Sequence, residues 1–409
     1  MPVAGPTVYP SQRDRQLTSL LHSGFLLVGV IHTLLGPILP MLAAKWHLDD
    51  AEAGSLFIAQ FTGAMIGSAL SSLMVDWLGS LRLMGCGYAA MAAAVACLGV
   101  NSWGVGLLSV LSYGFAIGLI APVTNLLVAE INSQRRAAAL NILNFVWALG
   151  AVAGPALIAV FARDGQLIRP LVGLAVLLSV IALLIARRSL ADSSSVAIRP
   201  KPNWKGRARF ERSAFRAWAS PYGLLTSALI FFYVGTETSA AGWIASYAQR
   251  IGASGSGFGT MMPSFFWAGL LIGRAAAPVV LRRVSETALV LMSLFMAGAG
   301  LVVILVGSSL MTVSSGAGLA GLGMAAVFPT TFAIFTRQFG SQASQLTGFV
   351  FVLGGVGGAL IPWLVGCISA RFGDLRMGLL IPLFCVASMI VLQIAIIRAL
   401  APEHLESRS

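Results

Sequence analysis

A twelve-helix membrane protein built from two similar halves is the fold class this sequence predicts, and three observations carry it. The first is composition: 57% of the 409 residues are hydrophobic, only 10% are charged, and mean hydropathy is +0.88. A soluble domain carries about a quarter charged residues. The second is spacing, because apolar windows of about twenty residues, each able to cross a hydrocarbon core of about 30 Å, recur along nearly the whole chain. The third is a repeat. Adding 206 carries Gly36, Gly63 and Gly67 onto Gly242, Gly269 and Gly273, and adding 207 carries Pro122, Gly150 and Pro155 onto Pro329, Gly357 and Pro362. Glycine and proline dictate backbone path, so a near-constant offset across them marks two copies of one architecture.

The spans fall roughly at 19–43, 52–75, 82–100, 103–129, 138–162, 168–187, 219–249, 257–281, 286–308, 311–336, 344–370 and 376–400. The formal net charge of +12 then sorts by side. The side of the termini collects most of the Lys and Arg, including Arg82, Arg135, Arg136 and the cluster Arg199, Lys201, Lys205, Arg207, Arg209, Arg212 and Arg216. Opposite them stand only Lys45, Arg163, Arg169, Arg250, Arg371 and Arg376. The positive-inside rule places both termini in the cytoplasm of a bacterial-type inner membrane. Basicity here expresses topology and contact with anionic lipid, not nucleic acid.

The expected organisation is a cytoplasmic tail (1–18), a six-helix bundle (19–187), a basic cytoplasmic linker (188–218), a second six-helix bundle (219–400) and a short tail (401–409). The first apolar run is of full span length, so it reads as a retained helix, not a cleaved signal. In span 1, Gly36, Pro37 and Pro40 predict a bent or unwound segment, with His32 one turn before it. Such breaks persist in membranes only where neighbours or a water-lined cavity satisfy the freed backbone groups. Asp49 or Asp50 offers an N-cap for span 2, which carries Gln60, Gly63 and Gly67. Spans 4 and 5 bring Asn125, Asn144 and Trp147. Span 7 heads the second half, and Gly242 there answers the break at Gly36. Cys86, Cys97, Cys367 and Cys385 have no paired spacing and read as small apolar packers.

The strongest single signal is Glu237. Of fourteen acids it alone falls in the interior of a span, in the stretch 231–247 that also holds Tyr233 and Trp243; the others lie in tails, loops or at helix ends. An ionisable group at membrane depth marks a pathway or a partner. It reads either as a solute anchor and proton site or as half of a buried ion pair with Arg274, the one basic residue inside a second-half span. His32 is a second proton-coupling candidate, or a packed neutral imidazole. Gln60, Asn125, Asn144, Trp147, Trp243, Trp267, His32 and Tyr233 join Glu237 as candidate lining of a solute site: a few polar groups among aromatics. The amides have a second reading as interhelical glue. Asp76, Arg82, Glu130, Arg135 and Arg136, at cytoplasmic helix ends, are the candidate gate, ion pairs that hold one side shut in one state and part in the other.

Two such halves joined by a basic loop resemble the major facilitator superfamily. The loop Ser72 to Arg82, with Asp76, Gly79 and Arg82 in register, is similar to that superfamily's G-x-x-x-D-R/K-x-G-x-R/K-R/K signature, with Ser72, Trp77 and Leu81 departing from it. In the second half, Gly235-Thr236-Glu237 with Gly242-Trp243, Trp267-Ala268-Gly269 with Gly273-Arg274, and Val327-Phe328-Pro329-Thr330 resemble the fucose permease (fucose–proton symporter) family. The resemblance implies the major facilitator fold and uptake of a sugar-like solute. It also implies acids in spans 1 and 4, yet the matching stretches 35–40 and 121–125 hold none. Glu237 therefore stands alone, and either proton symport or facilitated diffusion follows.

The sequence carries no HExxH, CxxC or Walker loop, so no enzyme, metal or cofactor is expected. The expected activity is secondary transport of a small hydroxylated solute, a monosaccharide in the first instance, by a monomer. A proton-coupled exporter of drugs or metabolites is the alternative.

Overall fold

The computed structural model describes residues 12–162, 166–191, 218–253 and 257–400. Most of the expected tails and linker, with the basic cluster Arg199 to Arg216, lies outside the described residues. The first half contains α1 (Gln12–His32), α2 (Leu35–Trp46), α3 (Asp50–Leu78), α4 (Ser80–Cys97), α5 (Trp103–Ile131), α6 (Arg136–Phe161) and α7 (Ile168–Ala191). The second contains α8 (Pro221–Ala248), α9 (Gly257–Val280), α10 (Glu286–Val306), α11 (Leu310–Met324), α12 (Val327–Phe339), α13 (Ala343–Phe372) and α14 (Leu375–Leu400). Among the described residues eleven spans are long and apolar enough to cross a membrane, α11 and α12 counting as one, and the pair α1–α2, bent by 45°, supplies a twelfth. The fold is an all-α multi-pass membrane protein.

The bend in span 1 begins at Thr33 and Leu34, earlier than the Gly36–Pro37 position the sequence suggested. Proline clashes with the carbonyl four residues back, and four before Pro37 is Thr33. The same rule explains a break between α11 and α12 at Ala325–Ala326, since four before Pro329 is Ala325; the sequence reading had this span continuous. It also corrects the expected match at Gly242. Helix α8 runs unbroken through Gly242, because the position equivalent to Pro37 is Trp243.

The repeat is visible in packing. A Cβ on Gly63 would stand 2.1 Å from the Leu111 carbonyl oxygen, and one on Gly269 2.1 Å from that of Gly318. Positions 111 and 318 are again 207 apart. Gly114 meets Gln60 as Gly321 meets Phe266. Helices α3 and α5 thus cross through the same glycine contacts as α9 and α11, backbone on backbone. Gly36 packs directly on Ala241 and Gly242, so two repeat-related glycines meet where the halves cross.

Contacts between the halves gather on the side away from the termini. Gly54 meets Trp363, Gly358 meets Phe61 and Gly355 meets Met65, while Ser264 Oγ donates to the Val152 carbonyl at 2.7 Å. Toward the terminal side the helices part: among the described residues nothing beyond its own helix backbone lies within 4 Å of a Cβ on Gly348, and Phe351 and Val352 are more than half exposed. The structure is closed on the far side and open on the side of the termini.

Candidate functional site

Tyr233 precedes Glu237 by four residues on α8, one helical turn, so both project from one face. The Tyr233 hydroxyl donates to Glu237 Oε1 at 2.9 Å. Arg274 on α9 places Nη2 4.0 Å from the same oxygen, the outer limit of an ion pair. The acid therefore has a neutral donor and a cation on one oxygen, while Oε2 accepts no hydrogen bond among the described residues. Two donors on α9 are buried without a partner among the described residues, Arg274 Nε and Trp267 Nε1. Seven residues apart, they lie two turns apart on one face. Leaving a buried donor unmade costs about 1–3 kcal/mol, so such groups call for a hydroxyl or carbonyl brought from outside.

A row of rings crosses between the halves. The His32 and Trp147 rings stand 5.6 Å apart edge to face, and Trp147 meets Trp267 at 5.8 Å in the same manner. Phe61 flanks His32 at 6.1 Å. Edge-to-face geometry aligns the positive ring edge with the negative ring face and fixes ring orientation. Helices α1, α6 and α9 thus contribute one ring each to a wall shared by both halves.

The other candidates are placed differently. Gln60 is buried; its Nε2 donates to the His32 carbonyl at 2.8 Å and its Oε1 accepts from the Tyr113 hydroxyl at 3.2 Å. In an unbroken helix that carbonyl would accept from Gly36, so Gln60 caps the backbone freed by the bend. Asn125 is half-buried and Asn144 exposed, and each returns its Nδ2 to its own helix, to Ala121 at 2.9 Å and Leu140 at 3.0 Å. Trp243 is buried against Phe57 with Nε1 donated to the Pro362 carbonyl at 2.9 Å, apart from the ring row. Asp76, Arg82, Glu130, Arg135 and Arg136 are all exposed and make no ion pair among the described residues.

One cluster escaped the sequence reading. Asp49 caps α3 in a capping box with Glu52, which leaves Asp50 to bind Arg250 at 2.9 Å and to accept from Ser369. This clamp ties α3 of the first half to α13 and the end of α8 in the second, on the closed side. The two adjacent acids were the available signal, since a helix N-terminus uses one as its cap.

The sequence matches the profile of the Major Facilitator Superfamily over residues 21–362. It is 24% identical over 352 residues to the glucose/mannose transporter GlcP of Bacillus subtilis, covering 84% of this chain and 85% of that one. The structure resembles the nucleoside transporter NupG with a TM-score of 0.70, at 14% identity over 96% of this chain and 100% of that one. It resembles the E. coli fucose:proton symporter FucP with a TM-score of 0.62, at 16% identity over 94% and 99%. At these identities the solved structures establish the shared fold.

Proposed function

Because the chain belongs to the Major Facilitator Superfamily, we propose that it carries a small hydroxylated solute, a monosaccharide in the first instance, across a bacterial-type inner membrane by alternating access. The observation that carries this reading is Glu237: a carboxylate inside a span, positioned by Tyr233, with one oxygen unengaged and two partnerless donors on the neighbouring helix. Sugar hydroxyls both donate and accept, so they complement a carboxylate oxygen together with the Trp267 and Arg274 N–H groups. The ring row offers flat apolar faces for sugar C–H groups. The relative's name, a glucose/mannose transporter, supports the same class.

With the termini cytoplasmic, as charge asymmetry argues, the open side is the cytoplasmic side. The unpaired Asp76, Arg82, Glu130, Arg135 and Arg136 then belong to a cytoplasmic gate in its parted state. Glu237 is the solute anchor first and a proton carrier second; Gln60 supports the site through the span 1 bend rather than by lining it. The exporter reading draws on the aromatic row, which also suits flat apolar compounds.

Uptake of radiolabelled glucose, mannose, fucose and a nucleoside into proteoliposomes tests the proposal. Saturable uptake of at least one sugar, blocked by unlabelled sugar, is expected. If no sugar is taken up or raises the melting temperature, the sugar assignment falls. An imposed inward proton gradient then separates the modes: accumulation above the external concentration marks symport, and simple equilibration marks facilitated diffusion.

A further inference from the structure

A cavity of about 450 Å³ opens on the terminal side of the first half, between α1, the end of α5 and α6. Six hydrogen-bonding residues line it: Arg15, Thr18, Ser19, His22, Ser23 and Asn132. Five of these lie on α1 at spacings of three, four and seven, which places them on a single face. Leu26 and Val146 form its inner end, and Val146 adjoins Trp147 of the ring row. From Arg15 to Leu26 the stripe runs eleven residues, about 16 Å along the helix. His32 lies about 9 Å beyond that inner end along α1.

Two features distinguish this stripe from an ordinary wet helix face. The first is hydrogen bonding. Elsewhere Ser109, Thr124 and Ser239 turn their hydroxyls back onto their own helix, whereas Thr18, Ser19 and Ser23 make no such bond among the described residues. His22 Nε2 is buried and has no partner either. The second is the repeat. At the offset of 206, Thr18, Ser19, His22 and Ser23 become Leu224, Leu225, Ala228 and Leu229; at 207, Asn132 becomes Phe339. The fold therefore accepts apolar residues at every one of these places. Polarity here belongs to the first half alone and is not a requirement of helix packing.

We infer that this α1 face is a second, weaker solute subsite, through which a neutral polyhydroxylated molecule passes between the midplane site and the terminal-side water. Hydroxyls and a carboxamide offer donors and acceptors, as a sugar does, the His22 ring adds a further polar edge, and the lining contains no carboxylate. The volume lies within the ~300–1,000 Å³ range of small-molecule sites. Its openness suits release, since a deep second well would trap the solute. Release is one-sided: solute leaves along α1, since the equivalent positions of α8 (Leu224, Leu225, Ala228 and Leu229) carry no polar stripe.

The inference rests on the sugar reading, and the test keeps the two apart. In a background with Cys86, Cys97, Cys367 and Cys385 replaced by serine or alanine, Ser23→Cys is labelled with a maleimide in proteoliposomes, with Ser19→Cys as a second position should the first not fold. Tens of millimolar glucose is expected to slow labelling at least twofold, and to do so equally with Glu237→Gln, where the midplane anchor is lost. Adding Thr18→Val and His22→Phe is expected to abolish that protection. The inference is overturned if glucose gives no protection, if protection disappears with Glu237→Gln, or if inorganic phosphate protects and glucose does not. Sugar uptake without vestibular protection removes this subsite and leaves the proposed function standing. Protection without uptake does the reverse.

Discussion

Glu237 Oε1 answers to two donors, a tyrosine hydroxyl at 2.9 Å and a guanidinium at 4.0 Å. Replacing the carboxylate by a carboxamide preserves shape and the tyrosine bond but removes the charge. Hydrogen bonds to charged groups contribute about 1.5–3 kcal/mol, so Glu237→Gln is expected to reduce uptake at least tenfold in a protein that still folds. Wild-type counterflow in that variant would remove the role. Trp267→Phe keeps the ring and deletes only the partnerless N–H. If that group donates to solute, KM rises by about 5-fold to 30-fold, the equivalent of ~1–2 kcal/mol, with the melting temperature unchanged; an unaltered KM assigns Trp267 to packing. At this scale the sequence was most legible for Glu237, because a lone acid in a span is conspicuous. It was least legible for Trp243 and Gln60. One is buried on Pro362 and the other serves the His32 carbonyl, and both partners are backbone groups distant in the chain.

Among elements, the two broken spans follow from one steric rule applied at Pro37 and Pro329, and the unbroken α8 follows from its absence at Trp243. The glycine-based repeat was readable because a close helix crossing tolerates no Cβ. The position of each break was not, since Pro122, Pro155 and Pro362 sit inside continuous helices. Whether a proline bends or breaks a helix depends on what satisfies the freed groups, and in span 1 that is Gln60. Gln60→Leu leaves the His32 carbonyl and the Tyr113 hydroxyl without this partner. It is expected to destabilise the protein by about 1–3 kcal/mol, seen as a lower melting temperature in detergent. An unchanged melting temperature would show that the bend is held by packing alone. At the α9–α11 crossing, Gly321→Val sets a side chain against the Phe266 carbonyl, where a Cβ already has only 1.9 Å; the expected outcome is loss of folded protein in size-exclusion chromatography.

For the whole molecule, the Asp50–Arg250–Ser369 clamp holds the far side closed while the terminal side stands open. Asp50 and Arg250 are 200 residues apart in sequence, and no local pattern links them. Only the repeat, by setting span 2 beside span 11, makes their meeting intelligible. Arg250→Ala is expected to raise maleimide labelling of a Ser369→Cys reporter several-fold from the far side, by shifting the population toward the state open there. Equal labelling with and without the substitution would make the clamp a passive surface pair, worth no more than about 1 kcal/mol.

The glycine crossing of Gly36 on Gly242 also acts as a fulcrum with unequal lever arms. From Gly36 the first span extends about 36 Å to Gln12 but about 15 Å to Trp46, and from Gly242 helix α8 extends about 32 Å to Pro221 but about 9 Å to Ala248. Measured along the chain, the arms differ by roughly two- to fourfold, so the same rocking angle sweeps the terminal mouth that much farther than the far mouth. The narrower aperture then sets the largest cargo the carrier can exchange, so bulk is screened at the far entrance whatever the chemistry of the midplane.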